Sequence, residues 1–373
     1  MKFNVLHTEW SGGWGGQEIR VLLDIQVLTS LGHAAAVLSG PDSQITARAR
    51  EAGVRVIEQP LRHAFDLIAL GRLVSLLRRE KFDVVNTHSS VDSWLASAAA
   101  KIVGGPVLIR TRHLSVPLRT HPLNFVYRWP DGLVTTAETI RRRLIEVNGL
   151  DGRRVKTIPT GVDLARFDPG LDPGSIRTEL GLNPDHRIVT MVAVLRSWKR
   201  HEVFLEAAAE LASARPELRF LVVGEGPRRP NIEDKIKSLS LEDKVLLTGH
   251  RSDVPRLLAL SDVCVLTSES SEGVPQAILQ YQAMNKPVVA CRAGGIPEVV
   301  EHERTGLLGP VNDPKAVAGA VARLLDDPAL ARRLAHSGRR QVEERFSLKA
   351  MAESTLDFYE MLYWKKKGRN RND

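Results

Sequence analysis

Cysteine is nearly missing from the 373 residues: there are two, Cys264 and Cys291. Both sit in apolar runs that read as core strands, so they are read as reduced packing residues rather than as a disulfide or a metal site. No His/Cys spacing of a zinc site occurs either. Aromatic residues make up 5% of the chain, and no basic segment interleaves with them in the manner of a nucleic-acid surface. No apolar run approaches the roughly 20 residues that span a bilayer. The first residues, Met1–Leu6, form a short strand without the apolar core and cleavage site of a secretory leader, and the cytosol is the expected compartment. The Gly-x-Ser-x-Gly elbow of serine hydrolases and the Gly-x4-Gly-Lys-Ser/Thr phosphate loop are also missing.

What is present is an ordinary globular composition, 43% hydrophobic and 26% charged, long enough for two domains. The net charge of +8 is unevenly spread: residues 1–167 carry 22 Lys/Arg against 15 Asp/Glu, and residues 168–364 carry 25 against 28. The tail 365–373 adds five basic residues and one acid. Basic surfaces attract anionic membranes, nucleic acid or phosphorylated substrates, and composition does not choose among them.

Short apolar strands alternate with helical stretches throughout. Strands are expected at 3–7, 35–39, 54–58, 84–87, 107–111, 133–136 and 155–158, then at 188–195, 219–223, 245–248, 263–267, 288–291 and 305–308. The spacing of Leu70, Leu73, Val74 and Leu77 marks an intervening helix. This alternation implies α/β architecture, with parallel sheets covered on both faces. The run Asp168-Pro169-Gly170-Leu171-Asp172-Pro173-Gly174 reads as a linker. It divides the chain into 1–167 and 168–347, followed by a last helix near 348–364.

Several strand ends carry chemistry. Glu272-Gly273-Val274-Pro275-Gln276 follows an apolar strand and opens a helix on which Gln280 lies. Backbone N–H groups and the positive end of a helix dipole suit a phosphate there, and the adjacent acid suits sugar hydroxyls. Ser11-Gly12-Gly13-Trp14-Gly15-Gly16-Gln17-Glu18 joins the first strand to a helix. It is either a phosphate loop or a plain glycine turn; its glycine spacing and the lack of an acid after the second strand disfavour a dinucleotide. Arg196 and Lys199 follow a strand, where two cations either stabilise a leaving diphosphate or form a solvated turn. Glycine turns at Gly224-Glu225-Gly226-Pro227 and at Gly249-His250-Arg251 end two further strands. Asn86-Thr87-His88 ends another, where a ligand histidine and a structural one are both open. Arg110, Arg112 and His113 read either as acceptor-side residues or as a solvated charge cluster.

The order of these segments resembles family 4 of the retaining, nucleotide-sugar-dependent glycosyltransferases with the GT-B fold, over nearly the whole chain. The resemblance implies two Rossmann-like, doubly wound parallel-sheet domains facing across a cleft. The first, acceptor-binding domain would be joined by the final helix, 348–373, and the second would bind the nucleotide sugar. It implies a metal-independent hexosyl transfer to a glycan or lipid-linked hydroxyl, such as lipopolysaccharide or another cell-envelope polysaccharide. No Asp-x-Asp pair of the metal-dependent glycosyltransferases is present. His88, Glu272, Arg196 and Lys199 would serve catalysis. Gly15, Gly16, Glu18, Glu225, Arg251, Gly273, Val274, Pro275, Gln276 and Gln280 would hold the donor, UDP-, GDP- or ADP-linked, with no other cofactor. The chain departs from the family pattern at two places: Gln280 replaces the second motif Glu, and Val194 falls where the family has Arg, so Arg196 is expected to supply that cation. The basic first domain and tail would favour an anionic membrane surface, with no nucleic acid as partner. A sugar-nucleotide epimerase or glycan phosphorylase of the same architecture, and a non-catalytic basic binding protein, are the alternatives.

Overall fold

The computed structural model describes residues 1–113, 118, 125–269 and 272–368. The apolar runs form strands because Val, Leu and Ile on both faces suit a sheet covered by helices on each side. In the first part these are β1 (Asn4–Glu9), β2 (Ala34–Ser39), β3 (Arg55–Glu58), β4 (Val84–Thr87), β5 (Val107–Arg112), β6 (Gly132–Thr135) and β7 (Val155–Thr157). They build a 7-stranded parallel sheet in the order β3-β2-β1-β4-β5-β6-β7. The second part contributes β8 (Arg187–Val192), β9 (Leu218–Val223), β10 (Val245–Gly249), β11 (Val263–Leu266), β12 (Val288–Cys291) and β13 (Leu307–Gly309). These form a 6-stranded parallel sheet, β10-β9-β8-β11-β12-β13.

The expected α/β class with two Rossmann-like sheets is therefore borne out. In each sheet the strand order grows outward from its first strand and then crosses back. The resulting switch points lie between β1 and β4, and between β8 and β11. Open parallel sheets take their ligands beyond the carboxyl ends of the strands at that point.

Two compact units result, Met1–Gly161 with the segment from Leu348, and Val162–Ser347. The second unit thus starts ahead of the Asp-Pro-Gly run expected to divide the chain. Val162 donates its N–H to Phe346 and pairs with Ser347, which commits residues 162–167 to the second unit. In the run itself, the Asp168 and Asp172 carboxylates accept from the N–H of Gly170 and Gly174, each at 2.8 Å. The composition that suggested a linker is turn chemistry inside a unit.

Alternate strand residues fill opposite sides of the first sheet. Leu6, Val85 and Leu108 pack with Leu73, Leu77 and Leu95 on one side. Val5, Val84 and Ile109 pack on the other with Met351, Phe358, Tyr359 and Leu362 of the helix Leu348–Lys366. In the second unit Ile188, Leu221, Val223 and Leu257 share a cluster. Cys264 on β11 and Cys291 on β12 are buried and free, as a packing role requires, and burial pushes their thiols up to about 12 and about 11.

Candidate active site

At the switch point of the second sheet, two loops are fastened together. Thr267, at the end of β11, shares its hydroxyl between the carbonyls of Lys199 (3.0 Å) and Arg200 (2.8 Å). Arg200 adopts the left-handed region at φ 53° and turns the chain into the helix His201–Ala214. Lys199 is thereby aimed at Glu272, and Nζ meets Oε1 at 2.5 Å. Glu272 is 8% exposed.

Beyond it, buried Gly273, Val274 and Pro275 lead into the helix Gln276–Ala283, and the N-cap residue Pro275 supplies no side-chain hydrogen bond to it. Its leading N–H groups lack intrahelical acceptors and sit at the positive end of the dipole, which suits an anion. Gln280 lies one turn further along and is half-buried. Gly294, at φ +50°, is pressed against this turn: a Cβ there would come 2.5 Å from the Glu272 carbonyl oxygen. Only glycine accepts both the dihedral and the approach. Fully buried Tyr281 ties the helix to β8, its hydroxyl accepting from the Val192 N–H at 2.7 Å.

Arg196 is exposed on the loop after β8, its guanidinium 5.2 Å from the Trp198 ring centroid. Ala193 and Leu195 are buried while Val194 and Arg196 are exposed, so the last two share a side. The turn Gly224–Gly226 packs backbone to backbone on this loop, and a Cβ on Gly226 would lie 2.6 Å from the Leu195 carbonyl oxygen. The Glu225 carboxylate accepts from Arg229 at 2.7 Å and from the Gly226 N–H at 3.1 Å. Arg251 is held by Asp253 (2.7 Å) and Glu179 (2.6 Å), and those hydrogen bonds raise the pKa of its guanidinium. Glu225 and Arg251 therefore have their charged ends hydrogen-bonded to neighbours.

The first unit has its own cluster at the ends of β1, β4 and β5. Gly15 caps the helix Gly16–Ser30 in extended conformation without a side-chain bond, and Glu18 is buried in the first turn. Glu9 gathers the loop: its carboxyl oxygens accept from the Ser11 N–H (2.8 Å), Gln17 (2.7 Å) and the Ser89 hydroxyl. Burial, with the nearby Asp92 charge, pushes the Glu9 carboxyl up to about 8. Asp92, also raised by burial, accepts from Thr8 at 2.9 Å and from the His88 N–H at 3.0 Å.

Three imidazoles form a chain. His7 Nδ1 lies 3.0 Å from His88 Nε2, and His88 Nδ1 lies 3.0 Å from His113 Nε2. Burial lowers all three, His7 to about 4, His113 to about 3 and His88 well below its ordinary value. Both ring nitrogens of His88 are taken, so a ligand that hydrogen-bonds to its ring displaces one neighbour. Arg110 is 7% exposed and spans the Ser89 carbonyl (2.8 Å), the Ser93 hydroxyl and Tyr127 (3.3 Å). Arg112 also donates to the Tyr127 hydroxyl.

The second unit thus brings together Lys199, Glu272 and Gly273–Gln276, with Arg196 on the adjoining loop. The first brings together Gly15, Gly16, Glu18, His88, Arg110 and His113. Sequence reasoning missed Thr267, Tyr281 and Gly294, and in the first unit His7, Glu9 and Asp92. Polar His7 and Glu9 at the end of an otherwise apolar strand were the available signal.

Residues 14–166 match the family model described as Glycosyltransferase Family 4, and residues 174–341 match Glycosyl transferases group 1. The Escherichia coli UDP-Gal:alpha-D-GlcNAc-diphosphoundecaprenol alpha-1,3-galactosyltransferase is 30% identical over 311 residues, 79% of each chain. Among solved structures, a glycosyltransferase from Rickettsia africae ESF-5 superposes with a TM-score of 0.87 at 23% identity, covering 97% of this chain and 98% of that one. The Anabaena HepE protein in complex with UDP-glucose gives 0.84 at 21% identity, covering 95% and 98%. With two Rossmann-like sheets and these relatives, the chain belongs to glycosyltransferase family 4 and is a glycosyltransferase of the GT-B fold.

Proposed function

We propose that the protein moves a sugar from a nucleoside diphosphate to a hydroxyl of a lipid-linked glycan, with retention at the anomeric carbon and without a metal ion. The observation that carries this reading is the Lys199–Glu272 pair, 2.5 Å apart beside the N-terminus of the helix Gln276–Ala283 at the β8/β11 switch point. Glu272 would exchange its lysine for donor-sugar hydroxyls, freeing Lys199 for the diphosphate together with Arg196 and the N–H groups of residues 273–276. Gln280 would bond the ribose, since an amide both donates and accepts. The bond from the anomeric carbon to phosphate oxygen breaks, the acceptor oxygen bonds to that carbon on the same face, and the acceptor proton passes to the departing phosphate oxygen. The relatives support a UDP-linked donor, through the complex with UDP-glucose, and a diphosphate-lipid acceptor, through the E. coli diphosphoundecaprenol galactosyltransferase. A membrane-borne acceptor of cell-envelope polysaccharide fits the basic first part of the chain.

The test is thermal stabilisation with UDP, GDP and ADP sugars. Saturation at about 100 times the dissociation constant adds roughly 2.7 kcal/mol. One nucleotide sugar should shift the wild type and fail to shift Glu272→Ala, while Lys199→Ala should lower kcat by about 100-fold or more. No shift with any of them would overturn the reading.

A further inference from the structure

The three most exposed large apolar side chains among the described residues are consecutive or nearly so: Phe65 (74%), Leu67 (77%) and Ile68 (69%). Leu67 and Ile68 open the helix Leu67–Glu80 and Phe65 precedes its Asp66 cap; the helix packs inward through Ala69, Leu73, Leu76 and Leu77 and so leaves these three outside the core. Phe65 also starts a line of aromatic rings. Its centroid is 5.9 Å from Trp94, Trp94 is 4.3 Å from Phe125, and Phe125 stacks on Trp129 at 3.9 Å. Single exposed apolar residues are ordinary, but a contiguous apolar and aromatic surface marks an interaction site.

The charge around it is predominantly positive. Arg62, Arg72 and Arg128 are exposed, and none has an ion pair among the described residues. The acid beside them, Asp66, accepts from the Ala69 N–H at 2.9 Å and serves as the helix cap. We propose that this surface docks the first unit on an anionic phospholipid bilayer, with Phe65, Leu67, Ile68 and Trp129 at the acyl boundary and the arginines against lipid phosphates. Apolar side chains, an aromatic ring at the interface and unpaired cations together are what an interfacial segment uses. Among the described residues no helix is long and apolar enough to cross a membrane, so contact would be at the surface. The inference rests on the reading of a lipid-linked acceptor and names the face that reaches it.

Vesicles of phosphatidylcholine, with and without phosphatidylglycerol, test it by co-sedimentation. Wild type should bind the anionic vesicles. Phe65→Ser/Leu67→Ser/Ile68→Ser should weaken that binding roughly tenfold or more, and Arg62→Glu/Arg72→Glu should remove the preference for phosphatidylglycerol. Nucleotide-sugar stabilisation, measured on the same variants, should stay at the wild-type level; its loss in the wild type would instead overturn the transferase reading. Wild-type vesicle binding by the triple apolar variant, or none by the wild type, would sink the docking surface. So would a wild-type dimer in sedimentation velocity that the triple variant dissociates, since a second copy would then be the occupant.

Discussion

Lys199 and Glu272 were both legible as site residues, because each follows an apolar strand run. What could not be read was that they neutralise one another, which depends on Thr267 folding one loop onto the other. The buried histidines were legible only at His88 and His113. Their linkage to His7 has a consequence for pH. His7 and His113 titrate near 4 and 3 in the fold against 6.5 ordinarily, burial being the main cause. As pH falls below 6.5, the unfolded chain takes up protons that the folded chain refuses, so stability is lost on the acid side. Glu9 acts oppositely. Raised from 4.5 to about 8 by burial, it stays protonated in the fold after the unfolded carboxyl has ionised, and its contribution is lost as pH rises through that range. Asp92, also raised by burial, acts in the same sense as Glu9, and below pH 6.5 the three histidines outnumber these two acids. Unfolding in denaturant should therefore show greatest stability near neutrality, with an acid-side loss of about 1.4 kcal/mol per pH unit for each uncompensated proton. His7→Asn should make that slope shallower, and a profile flat from pH 4.5 to 6.5 would refute the account.

At the scale of elements, apolar periodicity located every strand, because a two-sided parallel strand must be apolar along its length. Strand ends were less accurate. The run expected to extend to Leu195 leaves the sheet at Val192, since Leu195 bonds instead to the Glu225 turn, at 3.1 Å from its N–H to the Glu225 carbonyl. Helix placement over the site depends on Tyr281, which looks in sequence like any core aromatic. Tyr281→Phe should leave the Val192 N–H without its 2.7 Å acceptor and cost about 1–3 kcal/mol in denaturant unfolding. An unchanged midpoint would show that the helix is held by packing alone. The dependence of Glu272 on Gly294 was equally invisible, because the two are distant in sequence and meet through backbone.

At the scale of the whole molecule, the final helix completes the first unit across nearly the full length of the chain. Tyr359 is fully buried there, accepts from Asn86 at 3.2 Å and packs edge-on against Phe3. Gly132 gives the helix room, since a Cβ would lie 2.5 Å from Leu362. Lys366 is fixed to the Pro106 carbonyl (2.6 Å) and Asp131 (2.8 Å), so it is a clamp rather than a free basic residue; Arg369 and Arg371 of the tail lie outside the described residues. Tyr359→Ala should destabilise the protein by about 3–5 kcal/mol, read as a lowered unfolding midpoint, and a shift within error would count against this helix as part of the core. The sequence by itself determined the α/β class, the strand runs and the loops that carry chemistry, because burial on both faces and phosphate-suited turns impose local patterns. Only the tertiary structure decided which loops meet at each switch point, where the units divide and which basic residues are already paired. Those outcomes depend on strand order and on contacts between residues far apart in the chain, which no local pattern records.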